Sequence, residues 1–157
     1  MNNLILSLVA GLGATLAIGV LSYAEVSLTE VVLLMAPFGA TAVLVFGVPS
    51  SPLAQPKNVI IGHFITASIG IAFSQYVEIT PITLAIATGL GVSAMLITKT
   101  THPPAGANPI LIMASGQGWS FLFTPVLIGA VVIVLVGKAL QLLQSRYLNP
   151  RLNGQKT

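Results

Sequence analysis

The sequence predicts an all-α, polytopic membrane helix bundle built from two inverted three-crossing repeats, each containing a broken span. Three observations predict it. The composition is 55% hydrophobic and only 6% charged over 157 residues, against about a quarter charged in soluble domains. The apolar residues fall into five stretches of membrane-crossing length or nearly so. Two segments interrupted by proline match each other when the chain is shifted along itself.

The length suits one transmembrane domain, 1–157, and the mean hydropathy of +0.96 comes from stretches that recur from Leu4 to Val136. Met1 to Asn3 carry no basic residue, so the first apolar stretch is expected to be a retained span and not a cleaved signal. The absence of cysteine excludes disulfides, thiolate catalysis and cysteine metal sites. Three of the six basic residues, Arg146, Arg151 and Lys156, sit in the C-terminal tail. That placement reads as a topology signal and argues against a nucleic-acid partner.

A helix needs about 20 apolar residues to cross the hydrocarbon. The candidates are Leu4 to Leu21, Val31 to Val48, Val59 to Val77, Ile82 to Thr98, and Phe121 to Leu140. The positive-inside bias places Lys57, Lys99 and the tail after Lys138 on the cytoplasmic side, with both termini. Glu25, Glu30 and Glu78 then fall in the remaining loops as solvated charges. For Lys99 and the tail to share a side, Thr100 to Gly118 must also cross. It is expected to do so as an extended stretch through Thr101, His102, Pro103 and Pro104, followed by a short helix within Ala105 to Ser115. Pro104 suits a first helical turn, where its missing N–H costs nothing. Irregular backbone at membrane depth is tolerated only against protein or a water-filled cavity.

Ala36 to Ala40 interrupt the second stretch in the same way. A shift of 67 positions lays Pro37, Gly39, Ala40, Leu44, Val59, Ile61 and Gly62 on Pro104, Gly106, Ala107, Leu111, Val126, Ile128 and Gly129. The repeats are expected at about 1–77 and 78–141, with a basic cytoplasmic tail at 142–157. Three crossings per repeat invert the second copy. Inverted repeats with discontinuous helices are an architecture of transporters, with half-helix N-termini facing an anionic solute.

The candidate substrate-binding residues follow: Gly39, Ala40 and Thr41 at one break, and His102, Pro104, Gly106, Ala107 and Asn108 at the other. Small residues let a solute approach the backbone. Thr41 and Asn108, at equivalent repeat positions, can each donate a hydrogen bond to an oxyanion. His63, one turn from Thr66 inside the third stretch, joins His102 and Lys99 as candidates for gating or proton handling. Two histidines without a nearby carboxylate make no metal site, and no nucleophile is paired with a base. No enzyme activity and no cofactor are expected. Gly11 and Gly13, Gly62 with Thr66, and Gly89 with Ser93 are read as close-packing positions. Trp119 is read as an interfacial anchor.

The stretch from Phe38 to Gly47, the run Ser51 to Val59, Gly62 with His63, and His102 Pro103 Pro104 Ala105 Gly106 Ala107 resemble the HPP family of integral membrane proteins over nearly the whole chain. The family is usually described with four transmembrane segments, fewer than the three-plus-three crossings read above. Cyanobacterial and chloroplast members are associated with nitrite transport. The resemblance therefore implies nitrite, or a similar small anion, as partner beside the lipid bilayer. It also implies a bacterial, cyanobacterial-type plasma membrane as location. A homo-oligomer is expected, because so small a bundle has few helices with which to surround a path.

Overall fold

The structure, a computed structural model, describes residues 3–28 and 31–148. Glu30 and the tail residues Arg151 and Lys156 lie outside them. The described chain forms an all-α membrane bundle. Helix α1 spans Asn3–Ser27, α2 Pro37–Ala42, α3 Pro56–Tyr76, α4 Pro81–Ile97, α5 Asn108–Ser115 and α6 Ile128–Leu143. Helix α2 continues as a wide π turn over Val43–Gly47, and α5 is preceded by a tight 3-10 turn over Pro103–Ala107.

Among the described residues, three helices are long and apolar enough to cross a membrane: Asn3–Ser27, Pro56–Tyr76 and Leu122–Arg146. Two shorter apolar ones, Pro37–Gly47 and Pro81–Ile97, lie between them. Proline sets several of the boundaries. Pro37, Pro56 and Pro81 each open a helix, where the lost N–H would have had no intrahelical partner. Thr80 and Thr83 close a reciprocal cap on α4. The last span is kinked at Thr124, whose backbone is extended ahead of Pro125.

The break before Pro104 lies where the sequence places it, but the first break does not: Pro37 to Ala40, read as interrupting the second stretch, are helical, because proline opens a helix at its first turn, and the interruption lies earlier. Residues 31–35 are not helical before α2, and Thr100 to His102 are not helical before the turn at Pro103. The second helical stretch thus begins slightly earlier than Ala105. The first break has a partner that the sequence reading missed. Glu25 is not a solvated loop charge: it sits within α1, half-buried, and one carboxylate oxygen accepts from the Leu33 and Leu34 N–H groups, each at 2.8 Å. Lipid offers nothing to extended amides, so this carboxylate supplies what a helix would otherwise have provided.

Close approaches hold the broken segments in place, and they come in pairs. A Cβ on Gly62 would lie 2.9 Å from the Thr100 carbonyl oxygen, and one on Gly129 3.2 Å from the Leu33 carbonyl oxygen. A Cβ on Gly70 would meet Ile112 at 3.3 Å and the Pro109 backbone at 2.8 Å, while one on Gly137 would collide with Val45. These pairs differ by 67: 62 and 129, 100 and 33, 70 and 137, 112 and 45. Each time, the glycine helix of one half receives the broken segment of the other.

Burial follows the same shift. Pro37, Phe38, Thr41, Ala42, Val45 and Phe46 are buried, as are their counterparts Pro104, Ala105, Asn108, Pro109, Ile112 and Met113. Ala36, Ala40, Val43 and Gly47 are exposed, as are Pro103, Ala107, Ile110 and Ala114. Not every small residue packs: Gly11 and Gly89 have open space where a Cβ would go, whereas Gly13 abuts Leu140 and Phe46, and Gly91 abuts Thr66. Helix α1 turns Leu4, Leu8, Leu12 and Leu16 outward, as a lipid-facing helix should. Trp119 is exposed, with its indole N–H donating to the Tyr76 hydroxyl.

Candidate functional site

Where α2 packs against the Pro103–Ala107 turn, which also packs on α3, the bundle buries an unusual amount of polar chemistry. Thr41, His63, Thr66, His102 and Asn108 are all fully buried. They arrive from four local settings. Thr41 lies on the buried face of the short α2, and His63 and Thr66 share the inward face of α3. His102 is the last extended residue before the proline turn, and Asn108 is the first residue of α5.

Buried polar groups must be paired, and here they pair with one another. Thr41 Oγ1 lies 2.9 Å from His63 Nε2 and 3.0 Å from His102 Nε2. His102 Nδ1 lies 2.8 Å from the Leu53 carbonyl oxygen. Asn108 Nδ2 lies 3.0 Å from His63 Nδ1, 3.0 Å from Thr66 Oγ1 and 3.2 Å from the His63 carbonyl oxygen. The imidazoles meet edge to face with centroids 5.0 Å apart, and Phe38 stacks edge-on against His63 at 5.5 Å.

The roles within this chain can be assigned from the groups that can only accept. The Leu53 carbonyl requires a proton on His102 Nδ1, so in the neutral ring Nε2 is a lone pair. Thr41 must then donate to His102 Nε2, and having one proton it accepts from His63 Nε2–H. That leaves His63 Nδ1 as an acceptor for the Asn108 amide. The His63 carbonyl fixes the same amide orientation, since an oxygen placed there would face an oxygen. Every donor points the same way, from Asn108 through His63, Thr41 and His102 to Leu53. Asn108 Oδ1 is left buried without a hydrogen-bond partner.

Of the residues expected to bind substrate, the structure brings Thr41, His102 and Asn108 together with His63. Pro104 is buried in the turn beside them. Gly39, Ala40 and Ala107 are exposed on the outer faces of the broken segments, and Gly106 is half-buried. Lys99 stands outside the group, exposed at the end of α4 with a left-handed φ of 54°. Sequence reading did not place Thr66, the Leu53 carbonyl or Phe38 in the site. Thr66 could have been found from its spacing to His63; the other two carry no such signal.

Fold and buried polar node together define an integral membrane protein with two interrupted segments meeting at a histidine pair. The chain belongs to the HPP family: the family's transmembrane region matches residues 2–148. A transmembrane protein of Dictyostelium discoideum is 36% identical over 128 residues, which is 76% of this chain and 45% of that protein. A second transmembrane protein of the same organism is 35% identical over 128 residues, 76% of this chain and 41% of its own length. The chain thus spans less than half the length of these relatives. No solved structure matches it.

Proposed function

We propose that this protein transports a small inorganic anion across the membrane, with nitrite as the first substrate to test. The observation that carries the reading is the buried node of His63, Thr41, His102 and Asn108 at the junction of two broken segments. Ionisable side chains inside a bundle are costly in lipid and mark solute or proton paths. Irregular backbone at that depth is the usual setting of a midplane site.

In this reading the halves before and after Val77 are inverted repeats, with both termini cytoplasmic. The exchanged glycine contacts and the matching burial of 36–47 and 103–114 support the repeat, because a two-fold relation makes every contact between halves recur with the roles reversed. The solute passes along the small-residue faces of the broken segments, beside Gly39, Ala40, Gly106 and Ala107, with the polar node behind them. Those faces are open in a single chain, so a second copy completes the path and the working form is a homo-oligomer. A bacterial plasma membrane is the setting this implies.

Purified protein in liposomes is expected to take up nitrite at least tenfold faster than empty vesicles. Competition by nitrate and formate would rank the anions. Folded protein that carries none of the three would overturn the transport reading and favour a scaffold that works with another subunit.

A further inference from the structure

We propose that His63, Thr41 and His102 form a one-way proton relay that opens when an anion takes the Asn108 amide, so that anion and proton are taken up together. This rests on the transport reading and specifies its energetic coupling. The starting point is the polarity of the hydrogen-bond chain, which the Leu53 carbonyl at its end sets.

In the resting arrangement neither candidate donor is free. Thr41's single proton is committed to His102 Nε2 at 3.0 Å, and the Asn108 amide hydrogens go to His63 Nδ1 and Thr66 Oγ1, both at 3.0 Å. In the proposed step the anion takes the Asn108 hydrogen that lies on His63 Nδ1, while Thr66 Oγ1 keeps the other. Its departure uncovers the His63 Nδ1 lone pair, the acceptor nitrogen at the entry end of the chain. Binding a negative charge therefore exposes a base beside it.

The transfer balances as one proton in and one out, with no change in electron count. A proton arriving with the anion forms the His63 Nδ1–H bond. The His63 Nε2–H bond breaks as its proton passes 2.9 Å to Thr41 Oγ1. Thr41's own O–H bond breaks as that proton passes 3.0 Å to His102 Nε2. His102, now an imidazolium, loses its Nδ1 proton to water once the Leu53 carbonyl moves away. The chain must turn before it can work again, and the Pro37 carbonyl, 3.2 Å from Thr41 Oγ1, gives the hydroxyl a third position to turn through.

The surroundings suit a relay whose charge comes only from the proton it carries. The rings face each other and Phe38 and Thr41 from α2, Gly62 from α3, Asn108 from α5 and the Leu53 carbonyl from the loop before α3. Among the described residues no charged side chain bonds either imidazole. Lys57 and Lys99, which flank the site in sequence, are exposed.

The test combines flux and spectroscopy on the purified full chain. With the interior pH of proteoliposomes followed by a trapped dye, nitrite addition should drive proton uptake. Thr41→Val should cut that uptake at least tenfold, and Thr41→Ser, which keeps the hydroxyl, should restore it. Nitrogen-15 imidazole resonances of the wild-type protein, assigned with single histidine variants, should show His63 protonated at Nε2 and His102 at Nδ1. Proton uptake that persists in Thr41→Val, or the opposite tautomer at either ring, would overturn the relay. Wild-type nitrite flux with no accompanying proton uptake would also overturn it while leaving the transport reading standing. Absence of flux of nitrite, nitrate and formate alike would overturn the relay together with the transport reading on which it rests.

Discussion

Replacing Glu25 with alanine is expected to destabilise the protein by about 3 kcal/mol and to release the first broken segment from its place. One carboxylate oxygen holds the N–H groups of Leu33 and Leu34 at 2.8 Å each. Hydrogen bonds to a charged acceptor contribute about 1.5–3 kcal/mol apiece, and amides stranded away from water cost a similar amount. Glu25→Gln should be milder, at about 1 kcal/mol, because a single amide oxygen in the same position can still accept both bonds. Thermal unfolding in detergent would order the variants, and amide exchange at Leu33 and Leu34 would localise the effect. An alanine variant with unchanged melting and unchanged protection there would show that the carboxylate does not hold this segment.

The second large effect is expected from Asn108→Leu, which keeps the size of the side chain and removes its donors. His63 Nδ1, the His63 carbonyl and Thr66 Oγ1 all lose the partner they have at 3.0–3.2 Å. Each stranded buried acceptor costs about 1–3 kcal/mol. Two terms offset part of this: Thr66 also contacts the His63 carbonyl at 3.3 Å, and the unpartnered Asn108 Oδ1 is removed. The net loss should be about 2–4 kcal/mol. Uptake of nitrite should fall to the level of empty vesicles, measured well below the lowered melting temperature and normalised to folded protein. Full uptake by the folded variant would take Asn108 out of the site.

How much of this was legible in the sequence follows from the range of each interaction. The break before α5 was legible because proline at Pro103 and Pro104 acts on its own backbone; the one before α2 was signalled by Pro37 but placed too late in the chain, because that proline opens the helix. His63 and His102 stood out because an imidazole in an apolar run is a local anomaly. Their joining through Thr41 was not legible. It depends on residues 22 and 61 positions apart, and periodicity carries no information on such distances. Glu25 was misread for the same reason: a carboxylate near the end of an apolar run looks solvated until the segment it binds is placed beside it. Thr41 and Asn108 read as donors available to a solute, whereas the folded chain commits both to its own histidines. The glycines were half legible. The shift by 67 singled out Gly62 and Gly129, and the structure added Gly70 and Gly137, which pack on Ile112 and Val45 in the same exchanged manner.

The central claim is that a solute passes along the broken segments, and cysteine accessibility tests it most directly, since the chain contains no cysteine of its own. Single variants Ala40→Cys and Ala107→Cys occupy equivalent exposed positions on the two segments, with Leu16→Cys on the outer face of α1 as the lipid-facing control. A water-soluble thiol reagent should modify both segment positions, stop nitrite uptake, and be slowed by nitrite itself, while Leu16→Cys stays unmodified. Transporting protein in which Ala40→Cys and Ala107→Cys resist the reagent, or are modified without loss of uptake, would place the path elsewhere.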